Sequence, residues 1–222
     1  MMLTDLADVL RGAGLTVVER PGWRTRGHGD MGDVHAIVLH HTAGPATGEA
    51  PSLGVVERGR PDLAGPLAHL VLGRSGTWYV VAAGLCWHTG PTFETWQGNA
   101  HAIGIEAEGT GAAAWPTDQM DGYVCGARAL ADHYGVPYAR VLGHREVAKP
   151  LGRKVDPNFS MAAFRAALIR QENDMPLSDD DIERIARRSA DLVWQRLTTN
   201  AWGDTVEAQQ ILVATEKRTA EI

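Results

Sequence analysis

The stretch VLGHREVAKPLGRKVDP, residues 141–157, holds an imidazole at His144, a carboxylate at Asp156 and a lysine, Lys154, two residues before that carboxylate. Its Pro and Gly argue against a regular helix. Neutral imidazole and carboxylate are both ligands for zinc, which in a catalytic site takes three protein donors and leaves a fourth position to water. His144 and Asp156 offer two donors, so the third must come from a rigid element that lies alongside. IVLHHTAG is the best source: His40 and His41 end an otherwise apolar strand, where successive side chains face opposite sides of a sheet. Only one of the two can point at a metal. Each piece alone is ordinary, since a histidine at a strand end is commonly structural and an Asp before Pro commonly forms a turn.

Elements that would position these residues are legible around them. Residues 35–41 (HAIVLHH) read as a buried strand. LAHLVLG, residues 67–73, and TWYVVAA, residues 77–83, read as a hairpin turning at RSG, and HAIGIEAEG, residues 101–109, as a further strand. In the last, Ile103, Ile105 and Ala107 share one face and Gly104, Glu106 and Glu108 the other. Residues 4–11 predict a short helix stopped by GAG. Residues 117–134 predict a longer one ending at Gly135 with Pro137 beyond. ARVLGH predicts a short strand into the 141–157 stretch, and residues 160–171 a closing helix with Ser160 as N-cap. The fold class is therefore α/β, in the mixed α+β sense: a central mixed β-sheet flanked by helices.

After ENDMP the composition shifts. Residues 178–198 carry an apolar stripe from Ile182 to Leu197 behind an acidic first turn, and residues 205–218 carry a weaker helical pattern. A boundary near Asp174 gives a catalytic domain over 1–174, with its core at 33–172, and a small helical C-terminal segment over 175–222. That segment reads either as a binding module, using Trp194 and Trp202 for sugar stacking, or as a surface for self-association. At about 45 residues it is small for a core of its own.

The formal net charge of −6 gives no general attraction to nucleic acid or to anionic membranes. No run approaches the roughly 20 apolar residues of a membrane span. The N-terminus lacks a signal-peptide pattern, so synthesis in the cytoplasm is the expectation. Cys86 and Cys125 are far apart and read as two half-buried thiols.

Taken together, IVLHHTAG, LAHLVLGRSGTWYVV, CWHTG, NAHAIGIEAEG and GHREVAKPLGRKVDP resemble, in order, the zinc-dependent N-acetylmuramoyl-L-alanine amidases of the type-2 amidase and peptidoglycan-recognition-protein superfamily. The resemblance spans a little over half the chain. It implies that His40, His144 and Asp156 hold Zn2+, with Asp156 standing where some members carry Cys. It also implies that Lys154 stabilises the oxyanion. Many phage-type members have Tyr immediately before the His of the LAHLVLG segment, where this chain has Ala68, whereas the cytoplasmic recycling branch uses a Glu in a segment like IGIEAEG. Glu106 fits that place as general base, in preference to Glu108.

The same resemblance puts CWHTG at the border of the cleft, so that Trp87 and His88, together with His69, are expected to meet substrate. His41 is expected to pack rather than ligate, and His28, His101 and His133 to be surface or structural. The implied activity is cleavage of the amide between muramic acid and L-alanine in peptidoglycan, by a phage endolysin that reaches the cell wall after release. A cytoplasmic muropeptide-recycling amidase and a non-catalytic peptidoglycan binder are the alternatives. No HExxH occurs to support a zinc peptidase of another fold.

Overall fold

The computed structural model describes residues 1–174. In chain order its elements are α1 (Leu6–Gly12), β1 (Val17–Glu19), β2 (Ala36–His41), α2 (Leu53–Arg58), β3 (Gly59–Arg60), β4 (Leu63–Ala64), β5 (Leu70–Leu72), β6 (Trp78–Val80), β7 (Ala102–Ala107), α3 (Thr117–His133), β8 (Val141–Gly143), α4 (His144–Val147) and α5 (Met161–Asp174). Six strands form one mixed sheet in the order β1-β6-β5-β7-β2-β8, and β3 and β4 form a separate hairpin. The expected α+β layering is present. Among the described residues, no helix is long and apolar enough to cross a membrane. The predicted helices beyond residue 174 lie outside the described residues.

Burial explains which segments became strands. Every residue of β2 is buried, as a central strand covered on both faces requires. In β7 the predicted alternation holds: Ile103, Ile105 and Ala107 join Ile37, Leu39, Leu70 and Leu72 in the main core, which leaves Gly104 and Glu106 for the opposite face. Helix α3 lays Tyr123, Val124, Ala127, Leu130 and Ala131 on that core. It ends as predicted at Gly135, whose φ of +65° is the left-handed conformation glycine adopts without strain. There Val136 N–H donates to Ala131 O (2.8 Å) and Gly135 N–H to Asp132 O (3.3 Å), satisfying the last carbonyls of the helix. Ser160 Oγ accepts the Ala163 N–H (3.2 Å) and caps α5.

The parallel pairing of β7, β2 and β8 is what builds the site. His40 lies opposite Glu106 in the β2–β7 register, and Leu39 lies opposite Gly143 in the β2–β8 register, so His144 emerges next to His40. All three residues sit at the carboxyl ends of parallel strands, where open α/β sheets bind ligands.

One expectation is corrected. Residues 141–157 do contain helix, because His144–Val147 form a single α turn. Glu146 makes this turn possible despite the Pro and Gly that follow. Its carboxylate accepts the Gly143 N–H (2.8 Å) and is gripped by the Arg165 guanidinium at 2.9 and 3.0 Å. The turn therefore starts from a fixed strand end and is tied to α5.

Candidate metal centre

His40, His144 and Asp156 are buried, with 1%, 3% and 9% of their surface exposed. Their side chains converge: His40 Nδ1 lies 2.9 Å from His144 Nδ1, and each of these nitrogens lies 3.1 Å from Asp156 Oδ2. These edges are slightly under the roughly 3.3 Å of a tetrahedron built on 2.0–2.1 Å zinc bonds.

The outer nitrogens decide what the inner ones can do. His144 Nε2 faces the Thr89 carbonyl at 3.0 Å and must donate to it. His88 Nε2 likewise faces the Ala102 carbonyl at 3.0 Å, so in the neutral ring His88 Nδ1 accepts, and what it accepts is the His40 Nε2 hydrogen, at 3.2 Å. Burial, with neighbouring imidazoles adding to it, holds His88 well below the usual histidine range. Burial likewise holds His40 down to about 4, so its ring is neutral at neutral pH. With both rings neutral, both inner nitrogens carry lone pairs, and they meet a carboxylate oxygen with no hydrogen to share. Three acceptors in contact repel one another unless a cation lies between them, so the donor set fits a dication such as zinc.

Tyr123 seats the strand end beneath the metal position. Its hydroxyl accepts the His40 N–H at 3.1 Å, and the carbonyls of His40 (3.1 Å) and Ile105 (3.2 Å) are in reach as acceptors for its hydrogen. Sequence reasoning misses Tyr123, which a helix pattern shows only as one more position on the buried face.

A cleft of about 690 Å³ opens over this group, lined among others by Glu106, Lys154, Trp87, His88, Arg60 and Arg153. Glu106 Oε1 lies 4.0 Å from His40 Nδ1, and Glu106 Oε2 is buried with no hydrogen-bond partner. Burial, with the Asp156 charge adding and Lys154 opposing, pushes the Glu106 carboxyl up to about 8. Glu108 is different. Its carboxylate accepts from Ser52 N–H (2.6 Å), Ser52 Oγ (3.1 Å) and Thr42 Oγ1 (2.9 Å), which fixes it as a brace between loops.

Trp87 lines the cleft with 41% of its surface exposed. Its ring stacks on His28, with centroids 3.6 Å apart and planes 6° from parallel, so the lead-in segment buttresses the cleft. His69 does not reach the cleft, contrary to the sequence expectation. It is fully buried, and its Nδ1 accepts the Gly104 N–H at 3.0 Å while its own backbone N–H donates to Gly104 O at 3.1 Å, so it stitches β5 to β7. His41 lines the cleft at 9% exposure and stands outside the converging group of His40, His144 and Asp156. Cys86 and Cys125 are both free.

Residues 30–159 match a family described as N-acetylmuramoyl-L-alanine amidase, Amidase_2. Among solved structures, the chain is similar to an AmpD derivative at 25% identity, with 69% of this chain and 94% of that one covered and a TM-score of 0.52. It shares its fold with a mutant endolysin from Bacillus subtilis (20% identity, 69% and 99% covered, TM-score 0.52). It also shares it with AmiD from E. coli, solved with anhydro-N-acetylmuramic acid-L-Ala-D-gamma-Glu-L-Lys (20% identity, 68% and 65% covered, TM-score 0.50). No curated protein matches the chain.

Proposed function

This chain belongs to the N-acetylmuramoyl-L-alanine amidase family, and we propose how its own residues divide the work of hydrolysing the amide between N-acetylmuramic acid and L-alanine in peptidoglycan. The observation that carries the proposal is the convergence of His40, His144 and Asp156 on the cleft floor beneath an unpartnered Glu106 oxygen. Enzymes of the family are zinc-dependent, and zinc held by these three donors would polarise a carbonyl and supply a nucleophilic water near neutral pH.

The remaining roles fall to side chains lining the cleft. Glu106 accepts the proton of the attacking water and returns it to the nitrogen of L-alanine as the C–N bond breaks, so that water adds OH to the lactyl carbonyl and H to the amine. Burial raises its carboxyl, and the charge of a dication held beside it would lower it again, so that it could accept the proton first and return it afterwards. Lys154 offsets the negative charge that develops on the carbonyl oxygen, an effect worth roughly 3 kcal/mol per donor where measured. Trp87 offers the face not covered by His28 to the substrate.

We place the activity at the bacterial cell wall, as an endolysin made in the cytoplasm and acting after release. The shared fold with the Bacillus subtilis endolysin supports this reading. Digestion of intact wall and of soluble muropeptides, each with zinc-loaded and chelator-treated protein, tests both levels. The expected outcome is new L-alanine amino termini from intact wall, without new reducing ends and only with zinc. New reducing ends would replace the amidase with a glycosidase. Turnover of soluble muropeptides alone would replace the endolysin with a recycling enzyme.

A further inference from the structure

We infer that Asn99 is a positioning residue of the metal centre, acting through the loop of residues 86–90 to fix which nitrogen of both imidazole ligands carries the hydrogen. The inference rests on the zinc reading above and extends it to a residue outside the ligand set.

Two consecutive residues of the loop each meet one ligand. His88 Nδ1 faces His40 Nε2 at 3.2 Å, and the Thr89 carbonyl faces His144 Nε2 at 3.0 Å. The carbonyl can only accept. His88 Nδ1 also accepts, because its other nitrogen donates to Ala102 O. Both ligands are thereby set in the Nε2–H form with Nδ1 free, the form the donor triangle needs. In the opposite tautomer a ring would aim an N–H at the metal position.

A loop can dictate tautomers only if it is itself fixed, and Asn99 Oδ1 holds the two residues of this one that meet the ligands. Asn99 Oδ1 accepts the backbone N–H of His88 at 3.0 Å and of Thr89 at 2.9 Å, with the Thr89 hydroxyl a further 3.0 Å neighbour. Arg153 adds a second tie, donating to the Thr89 and Pro91 carbonyls at 2.8 and 2.9 Å. Strand β7 supplies the clearance. A Cβ on Gly104 would sit 2.6 Å from His88 Cγ and 2.7 Å from His88 Nδ1, so only glycine lets the ring reach His40. Partners that orient ligating histidines from behind typically govern metal affinity by 10- to 100-fold.

The test uses the full chain, 15N-labelled, in its parent form and as Asn99→Leu, Asn99→Asp and His88→Phe. Long-range 1H–15N spectra of metal-stripped protein read the tautomer of each imidazole, and competition with a chromophoric chelator reads zinc affinity. In the parent, the rings of His40 and His144 are both expected as Nε2–H. Asn99→Leu is expected to mix the tautomers of His40 and His144 and to weaken zinc about 10- to 100-fold. Asn99→Asp keeps the accepting oxygen and restores most of that loss, and His88→Phe disturbs His40 while leaving His144 set. Parent rings in the Nδ1–H form would overturn the inference, as would an Asn99→Leu protein with parental tautomers and zinc affinity. If Asn99→Leu does not fold, Asn99→Ala takes its place and is read by the same two measurements, with the same outcomes. A parent that binds no zinc at all overturns the metal reading itself, whereas equal zinc binding by parent and Asn99→Leu overturns only the role of Asn99.

Discussion

Two adjoining walls of the cleft are built differently. In one, residues 86–90 bring His88 and Thr89, which are 7% and 0% exposed and hydrogen-bonded on every side the ligands require. In its neighbour, residues 149–155 leave Leu151 79% and Val155 74% exposed, with the segment tied to the first wall through Arg153. Both walls approach the same metal position, since Asp156 follows directly on the exposed one. The difference separates two tasks: the buried wall sets the electronic state of the ligands, and the exposed wall is free to meet a bulky polymer.

Substitutions can break this contrast at graded cost. The largest effect is expected on the floor between the walls, where Glu106→Gln should retain zinc yet lose about 10²- to 10⁴-fold in kcat, the usual range for a general base. Zinc content and kcat measured together check it, and an active variant would remove the general-base role from Glu106. Next comes Gly104→Ala. Its Cβ would collide with the His88 ring, and zinc affinity should fall by about tenfold or more, as for other disturbed metal-supporting groups. Unchanged chelator competition would show that the buried wall tolerates displacement.

Trp87→Ala should act on binding alone, raising KM several-fold in line with about 1 kcal/mol of aromatic contact, with zinc affinity as in the parent. If zinc weakens too, the Trp87–His28 stack supports the metal loop and the two tasks are not separate. The smallest effect belongs to the exposed wall: Leu151→Ser with Val155→Ser should change unfolding free energy by no more than about 0.5 kcal/mol per site. A larger shift in a denaturant melt would mean that this wall, too, is structural.

Several parts of this organisation are visible in one dimension because local chemistry writes them there. The apolar run of β2, the alternation of β7 and the glycine stop of α3 each follow from a periodicity or a conformational preference. Other parts are not. Nothing adjacent to His144 announces the helical turn, since the carboxylate that caps it is held by Arg165 from α5. His69 resembles a cleft residue in sequence, yet its bonds to Gly104 place it between strands. Glu106 and Glu108 share a face in sequence, and Ser52 and Thr42 from distant loops are what distinguish them. A glycine inside a strand pattern does signal a close approach, but it does not say which ring approaches.

Sequence alone determined the inventory: a sheet-and-helix domain, two imidazoles and a carboxylate of zinc-ligand type, and the order of motifs that carried the family resemblance. Only the tertiary structure decided which nitrogen each histidine turns to the centre, because that depends on acceptors at Thr89, His88 and Ala102 brought in by other segments. A side chain's identity is local, whereas its tautomer and orientation are set by whatever the fold packs against it.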